Sequence, residues 1–300
     1  MINAELFSHL GKTEINKPLA NMTTYRIGGN ADLVLYPYDS LALIEFLNIA
    51  SANNIDYRII GKGSDLLCSD DPYNGVIIRL DMTMNNIYFN DQSLLAEAGC
   101  SLVYLASQCM KKGLSGLEFA SGIPGTIGGA IFMNAGAYKS NMADIVEGVL
   151  VLKDNECVWL TNEECRFSYR SSIFQKHRDW IILAAKLVLK KEDPSIIEDL
   201  MRNRKERRMA NQPLDYPSCG SVFRNPDDKP AWQYIADLGY RGKQVGGARV
   251  SEKHCNFIIN TGNAKARDVI DLINMINDDM EKTYGFRLET EVEKFNWTEK

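Results

Sequence analysis

The chain has 300 residues, 45% of them hydrophobic and 24% charged, with a formal net charge of -5. That length exceeds one ordinary hydrophobic core, so two or three domains are expected. The acidic balance, without a long basic stripe, argues against a nucleic-acid partner, and no stretch reaches the ~18 apolar residues of a membrane span.

The segment Met1–Leu10 carries Glu5 and His9 and lacks an apolar run, so it does not read as a signal peptide, and a cytoplasmic location is expected. Residues 40–53 have helical periodicity, with Ser40 as cap and Leu43, Ile44, Leu47 and Ala50 on one face. A strand Tyr57–Ile60 runs into Gly61-Lys62-Gly63-Ser64-Asp65, and a strand Val76–Leu80 follows. Two hairpins are signalled, Ile87–Phe89 with Leu94–Ala98, and Val149–Lys153 with Cys157–Leu160 across Asp154-Asn155-Glu156. Between them a helix Leu102–Lys112 ends at Gly113. Thr161 and Glu164 have capping-box spacing, and Trp180–Leu189 reads as a long apolar strand. Asp193 caps and Pro194 starts a charged helix ending before Asn211; its basic run Arg202–Arg208 reads as a solvated face. Ala231–Leu238 is predicted helical, Asn256–Asn260 a strand, Ala264–Tyr284 a long amphipathic helix closed by Gly285, and Phe286–Val292 a final strand. The pattern is α+β, divided as 1–82, 83–192 and 193–300, with the last strand free to return to the first segment.

Cys68, Cys100, Cys109, Cys157, Cys165, Cys219 and Cys255 are odd in number and form no C-x-x-C pair, so they read as free, mostly buried thiols. His9, His177 and His254 lie at no zinc-ligand spacing, which argues against a metal enzyme and a histidine-based triad.

Chemistry concentrates in two glycine-rich segments. Gly61 to Leu67 follows a strand but has neither the Rossmann nor the Walker A spacing, and alone it reads as a tight turn. The second is stronger: seven of the 22 glycines fall between Gly113 and Gly136, around Ser121-Gly122-Ile123-Pro124-Gly125-Thr126-Ile127-Gly128-Gly129-Ala130. Glycine costs roughly 0.5–1 kcal/mol each in a regular element, so this density implies a backbone passing close to something. Ser121, Thr126 and Asn134 offer polar side chains beside it. Two such turns suggest a dinucleotide held by backbone N–H groups.

These residues carry a resemblance. Thr23-Thr24-Tyr25-Arg26-Ile27-Gly28-Gly29, Gly61–Leu67 and Gly116–Gly129 resemble the UDP-N-acetylenolpyruvoylglucosamine reductases, as do Tyr169–Phe174, Gly220–Pro226, Val245–Ala248, His254–Ile258 and Leu288–Val292, in order along the chain. The absence of an inserted tyrosine-bearing loop near Arg170 resembles the family's shorter form. The resemblance implies a two-subdomain FAD-binding fold of the vanillyl-alcohol-oxidase/p-cresol-methylhydroxylase type (1–82 and 83–192) plus a C-terminal α+β substrate domain (193–300). It implies FAD as cofactor, NADPH as hydride donor and a UDP-sugar enolpyruvyl ether as substrate, in a monomer or weak oligomer with no membrane partner.

By motif match, Arg26, Gly61, Lys62, Gly63, Ser64, Asp65, Ser121, Gly122, Ile123, Pro124, Gly125, Thr126, Gly128, Gly129 and Ala130 resemble the FAD contacts, and Tyr169 and Asn225 the substrate contacts. Arg170 and Glu291 resemble the pair that steadies charge on the substrate carboxylate, and Ser221 resembles the proton donor. Arginine suits a carboxylate through its planar fork, whereas Glu291 donates a hydrogen bond only when protonated. Three positions depart from the family pattern: Asp65 where asparagine is usual, and Cys219 and Cys255 where alanine is usual. Asp65 adds negative charge beside a pyrophosphate unless it faces away. Another FAD oxidoreductase of the same fold acting on sugars or alcohols is the alternative enzyme, and a noncatalytic nucleotide sensor the alternative module. The absence of histidine from both glycine segments argues against a histidine flavin tether there.

Overall fold

The computed structural model describes residues 2–154 and 156–297. It clusters into two compact units, Met1–Ile15 with Leu33–Lys62 and Gly75–Glu206, and Asn16–Asp32 with Gly63–Asn74 and Arg207–Lys300. Each unit has its own core. None of its described helices is long and apolar enough to cross a membrane.

Most of a four-stranded sheet falls in the first unit, its strands in the order Gly11–Pro18, Asn30–Pro37, Tyr73–Arg79, Tyr57–Ile60. Its last two strands are parallel, with Tyr57 opposite Val76 and Ile60 opposite Arg79. The helix Ser40–Ala52 stands where its periodicity put it, but Asp39 caps it: that carboxylate accepts the Ala42 N–H at 2.9 Å. An ionised cap also meets the positive helix end, which favours Asp39 over Ser40.

The same unit holds a five-stranded antiparallel sheet ordered Glu156–Thr161, Val146–Lys153, Ile181–Val188, Ser93–Glu97, Ile87–Asn90. Both expected hairpins are present, the first closing tightly with Asn90 opposite Ser93. In the second, Lys153 lies opposite Glu156, and Asn155 of the expected turn lies outside the described residues. Ile181 to Ala185 are all buried, as a central strand requires when a helix covers one face. The short helix Ile127–Phe132 supplies that cover. Thr161 and Glu164 do bond reciprocally, the Glu164 carboxylate taking the Thr161 N–H at 2.8 Å and the Thr161 hydroxyl taking the Glu164 N–H at 3.3 Å, but they close a turn, not a helix. No apolar stripe follows Glu164 to hold a helix onto the core.

In the second unit the helix Ala266–Tyr284 buries Val269, Leu272, Ile273, Ile276 and Met280 against the sheet Gln244–Val245, Ala248–Val250, Ile258–Asn260. Each such side chain contributes roughly 1.5–3 kcal/mol. Gly285 ends the helix at φ +79°, a left-handed turn that a Cβ would strain. The final strand is displaced from the expected Phe286–Val292 to Glu293–Phe295, which pairs in parallel with Leu66–Cys68. Residues before it are engaged otherwise: the Asn277 side chain takes the Leu288 N–H at 2.8 Å and donates to its carbonyl at 3.2 Å, and Thr290 forms an isolated bridge with Phe223.

Candidate active site

The two glycine segments meet at one point. A Cβ built on Gly61 would stand 2.6 Å from the Thr126 hydroxyl oxygen, so glycine is required for the approach. Beside it the Lys62 ammonium donates to the Ser101 hydroxyl at 2.9 Å, and Ser101 bridges Thr126. Gly63 takes a left-handed φ of +59°, and its Cβ would fall 2.4 Å from the Met22 carbonyl oxygen. No acceptor among the described residues takes the N–H groups of Gly61, Lys62, Gly63 or Ser64. Four consecutive unclaimed amides are the chemistry a pyrophosphate needs.

The Ser121–Ala130 segment is different. Its amides at Ile123, Gly125, Ile127 and Gly128 go to the carbonyls of Ala120, Ile123, Cys100 and Ala98, and that of Gly129 goes to the Thr126 hydroxyl. The Ser121 hydroxyl donates to the Glu118 carbonyl at 2.8 Å, and the Asn134 amide donates to the Ser168 carbonyl at 2.8 Å. Several groups expected as ligand donors are therefore occupied by the fold itself. Gly128 is glycine because a Cβ would crowd Ala98 at 3.2 Å, a packing reason. Pro124 and Gly129 are the exposed members, and Gly122, Ile123 and Gly125 are half-buried. Thr126 and Ala130 are buried beneath them.

Tyr169 and Arg170 form the tip of a tight turn closed by paired Ser168 and Ser171 backbone bonds of 3.0 and 3.1 Å. Arg170 has φ +53°, a left-handed conformation costing about 1–3 kcal/mol that its surroundings must hold. They do so from several sides. The Arg170 guanidinium donates to the Gly136 carbonyl at 2.9 Å and lies 5.1 Å from the Tyr169 ring centroid. Gln175 donates to the Arg170 carbonyl at 3.0 Å, and Asn134 grips Ser168.

In the second unit, Ser221 follows Gly220, which is left-handed at φ +83°. Its hydroxyl, half-buried, makes no hydrogen bond among the described residues. The strand-like run after it is fastened on both edges. On one, the Glu291 N–H donates to the Val222 carbonyl at 2.8 Å and the Arg224 N–H to the Glu289 carbonyl at 2.9 Å. On the other stands Asn256, discussed below. The fold thus brings Ser221 and Glu291 into one place. Asn225 is exposed, and its side-chain oxygen takes the Ala231 N–H at 3.1 Å, at the start of the helix Ala231–Asp237.

A family profile described as FAD binding domain matches residues 31–161. A second, described as UDP-N-acetylenolpyruvoylglucosamine reductase, C-terminal domain, matches residues 212–295. The UDP-N-acetylenolpyruvoylglucosamine reductase of Anoxybacillus flavithermus is 44% identical over 289 residues, covering 96% of each chain. That of Bacillus subtilis strain 168 is 41% identical over 285 residues, covering 95% of this chain and 94% of its own. The crystal structure of the reductase from Thermus caldophilus superposes with a TM-score of 0.79 at 31% identity, covering 95% of this chain and 98% of its own. The chain belongs to the UDP-N-acetylenolpyruvoylglucosamine reductase family.

As a member of that reductase family the chain is an FAD-dependent oxidoreductase of peptidoglycan precursor synthesis. Gly61, whose place a Cβ would fill, and the unclaimed amides at 61–64 fit the cofactor's pyrophosphate. The departure at Asp65 finds its neighbours in the second unit. Burial pushes the Cys219 thiol well up, and the nearby charge of Asp65 pushes it further against a backbone hydrogen bond that lowers it. Arg26 is exposed and left-handed at φ +55°. Sequence reasoning gave no role to Gln175 or Asn256, whose side chains hold the Arg170 and Ser221 segments; Asn256 bonds a backbone 33 positions away, and Gln175 bonds backbone carbonyls at Arg170 and Phe132, pairings that follow no helix or strand period.

Proposed function

We propose that this chain reduces a UDP-N-acetylglucosamine enolpyruvyl ether to UDP-N-acetylmuramate with NADPH as the electron source, in the cytoplasm, with residues 1–82 and 83–192 serving the cofactor and 193–300 the substrate. Bound FAD would supply the hydride-transfer chemistry, from the nicotinamide to the terminal alkene carbon. The chain's residues do the rest. Arg170 binds the substrate carboxylate, where negative charge gathers as the hydride arrives, its guanidinium fork pairing with the two oxygens, and Glu291 steadies that charge as a hydrogen-bond donor, a role open only to its protonated form. Ser221 gives its hydroxyl proton to the carbon next to that carboxylate, and solvent returns it. Tyr169 and Asn225 hold the sugar nucleotide. Arg26, the Gly61–Asp65 loop and the Ser121–Ala130 segment hold the FAD.

The observation that carries this reading is the placement of Ser221, its hydroxyl unclaimed among the described residues, on a run bonded through Val222 to Glu291. A serine hydroxyl is a weak acid, so it serves only a strongly basic carbon held against it. Ser221→Ala should retain FAD and be reduced by NADPH at the normal rate, yet reoxidise very slowly with the enolpyruvyl substrate in stopped-flow traces. Fast reoxidation of that variant removes Ser221 from the role.

A further inference from the structure

We propose that Asn256 is the positioning residue for Ser221, an inference that rests on the reading of Ser221 as proton donor. Asn256 is only 3% exposed. Its side-chain oxygen accepts the Phe223 N–H at 2.9 Å and its side-chain amide donates to the Phe223 carbonyl at 2.8 Å. Its backbone carbonyl takes the Val222 N–H at 2.8 Å. One residue thus supplies three bonds to the two residues that follow Ser221, reproducing with a side chain what a neighbouring strand does with its backbone.

An amide is the side chain for this task, since it offers donor and acceptor in one plane without charge. The opposite edge is held by backbone alone, through Glu289 and Glu291. Removing the Asn256 amide therefore takes away both bonds to Phe223, while the bond from Val222 to the Asn256 backbone carbonyl and the Glu291 side stay in place. The cost falls on alignment. A displacement of 1 Å in a reacting group lowers a rate by about 10²-fold. The Gly61–Ser64 amides and the Arg170 turn share no bond with Asn256, so cofactor binding and flavin reduction by NADPH are separate from this effect.

The test uses the FAD-loaded full chain in anaerobic stopped flow, following flavin reduction by NADPH and reoxidation by the enolpyruvyl substrate as two steps. Asn256→Ala should reduce within about twofold of the parent and reoxidise at least tenfold slower, with a larger solvent deuterium isotope effect because protonation has become limiting. Asn256→Asp is the same size, and its protonated carboxyl both donates and accepts. Its reoxidation, relative to the parent, should recover as pH falls and the acid form fills. The proposal is overturned if reduction and reoxidation fall together, if neither changes, or if Asn256→Asp tracks the parent at every pH. Ser221→Ala measured alongside separates the two layers: fast reoxidation there sinks the reading of Ser221, whereas slow reoxidation there with normal Asn256 variants sinks only the role of Asn256.

Discussion

Gly61→Ala perturbs the point where Gly61 meets Thr126. The new methyl would lie 2.6 Å from the Thr126 hydroxyl oxygen, far inside contact distance. The Gly61 backbone is not left-handed, so the collision and not the backbone decides the outcome. Thr126 is 3% exposed and its hydroxyl caps the helix Ile127–Phe132 by accepting the Gly129 N–H at 3.3 Å. If Thr126 turns aside, the cap is lost at about 1 kcal/mol and a buried hydroxyl is left to find another partner at about 1–3 kcal/mol. If instead the segments part, the amides at 61–64 move from the pyrophosphate. The first outcome costs the fold about 2–4 kcal/mol in all, and the second lowers FAD affinity, where each 1–2 kcal/mol of lost binding is a roughly 5- to 30-fold weaker hold. FAD titration of the apoprotein, read by quenching of flavin fluorescence, should show a dissociation constant raised by about tenfold, near 1.4 kcal/mol. Adding Thr126→Ala removes the obstructing oxygen, so the double variant should recover part of the loss, a coupling of about 0.5–3 kcal/mol. Strictly additive losses, or unchanged FAD affinity in Gly61→Ala, would refute the claim that this contact shapes the cofactor site.

Arg170→Met should leave reduction by NADPH intact and slow reoxidation by substrate by roughly 10²–10³-fold, the worth of one lost charge-stabilising donor; a change below threefold in stopped flow would remove Arg170 from the carboxylate. Of the seven cysteines only Cys157 is exposed, and burial pushes Cys68, Cys100, Cys109 and Cys165 up to about 12. A thiol-exchange reagent at pH 8 should therefore titrate one cysteine rapidly in the native chain and all seven after denaturation, and Cys157→Ser should abolish the fast one. Burial lowers the proton affinity of His254 from its ordinary 6.5, so below that pH the unfolded chain binds more protons than the folded one. The contribution of His254 is complete above 6.5 and is lost as pH falls, so melting temperatures of His254→Gln should decline less between pH 6.5 and 5 than those of the parent. Parallel curves would contradict that linkage.

Elements governed by local periodicity were legible. The helix Ala266–Tyr284, with its apolar stripe and closing Gly285, and the hairpin across Asp91 and Gln92 need only short-range rules. Gly61–Asp65 was legible as a special turn, but its contact with Thr126 joins residues 65 positions apart and leaves no trace in spacing. The Phe286–Val292 strand failed because its polar partners, Asn277 and the Ser221 run, are set by tertiary structure, moving regular pairing to Glu293–Phe295. Ser121 and Asn134 were legible as polar groups beside the glycines; that the fold consumes their donors was not, since the acceptors are backbone carbonyls at Glu118 and Ser168. The resemblance supplied the roles of Arg170, Ser221 and Glu291, which composition and periodicity alone leave as ordinary surface or turn residues.

The most direct measurement is an anaerobic titration of the purified, FAD-loaded chain. NADPH should bleach the flavin absorbance, and one equivalent of the enolpyruvyl sugar nucleotide should restore it with formation of the lactyl ether. Flavin that NADPH reduces but the enolpyruvyl substrate leaves bleached, or a chain that takes up no FAD at all, would contradict the account.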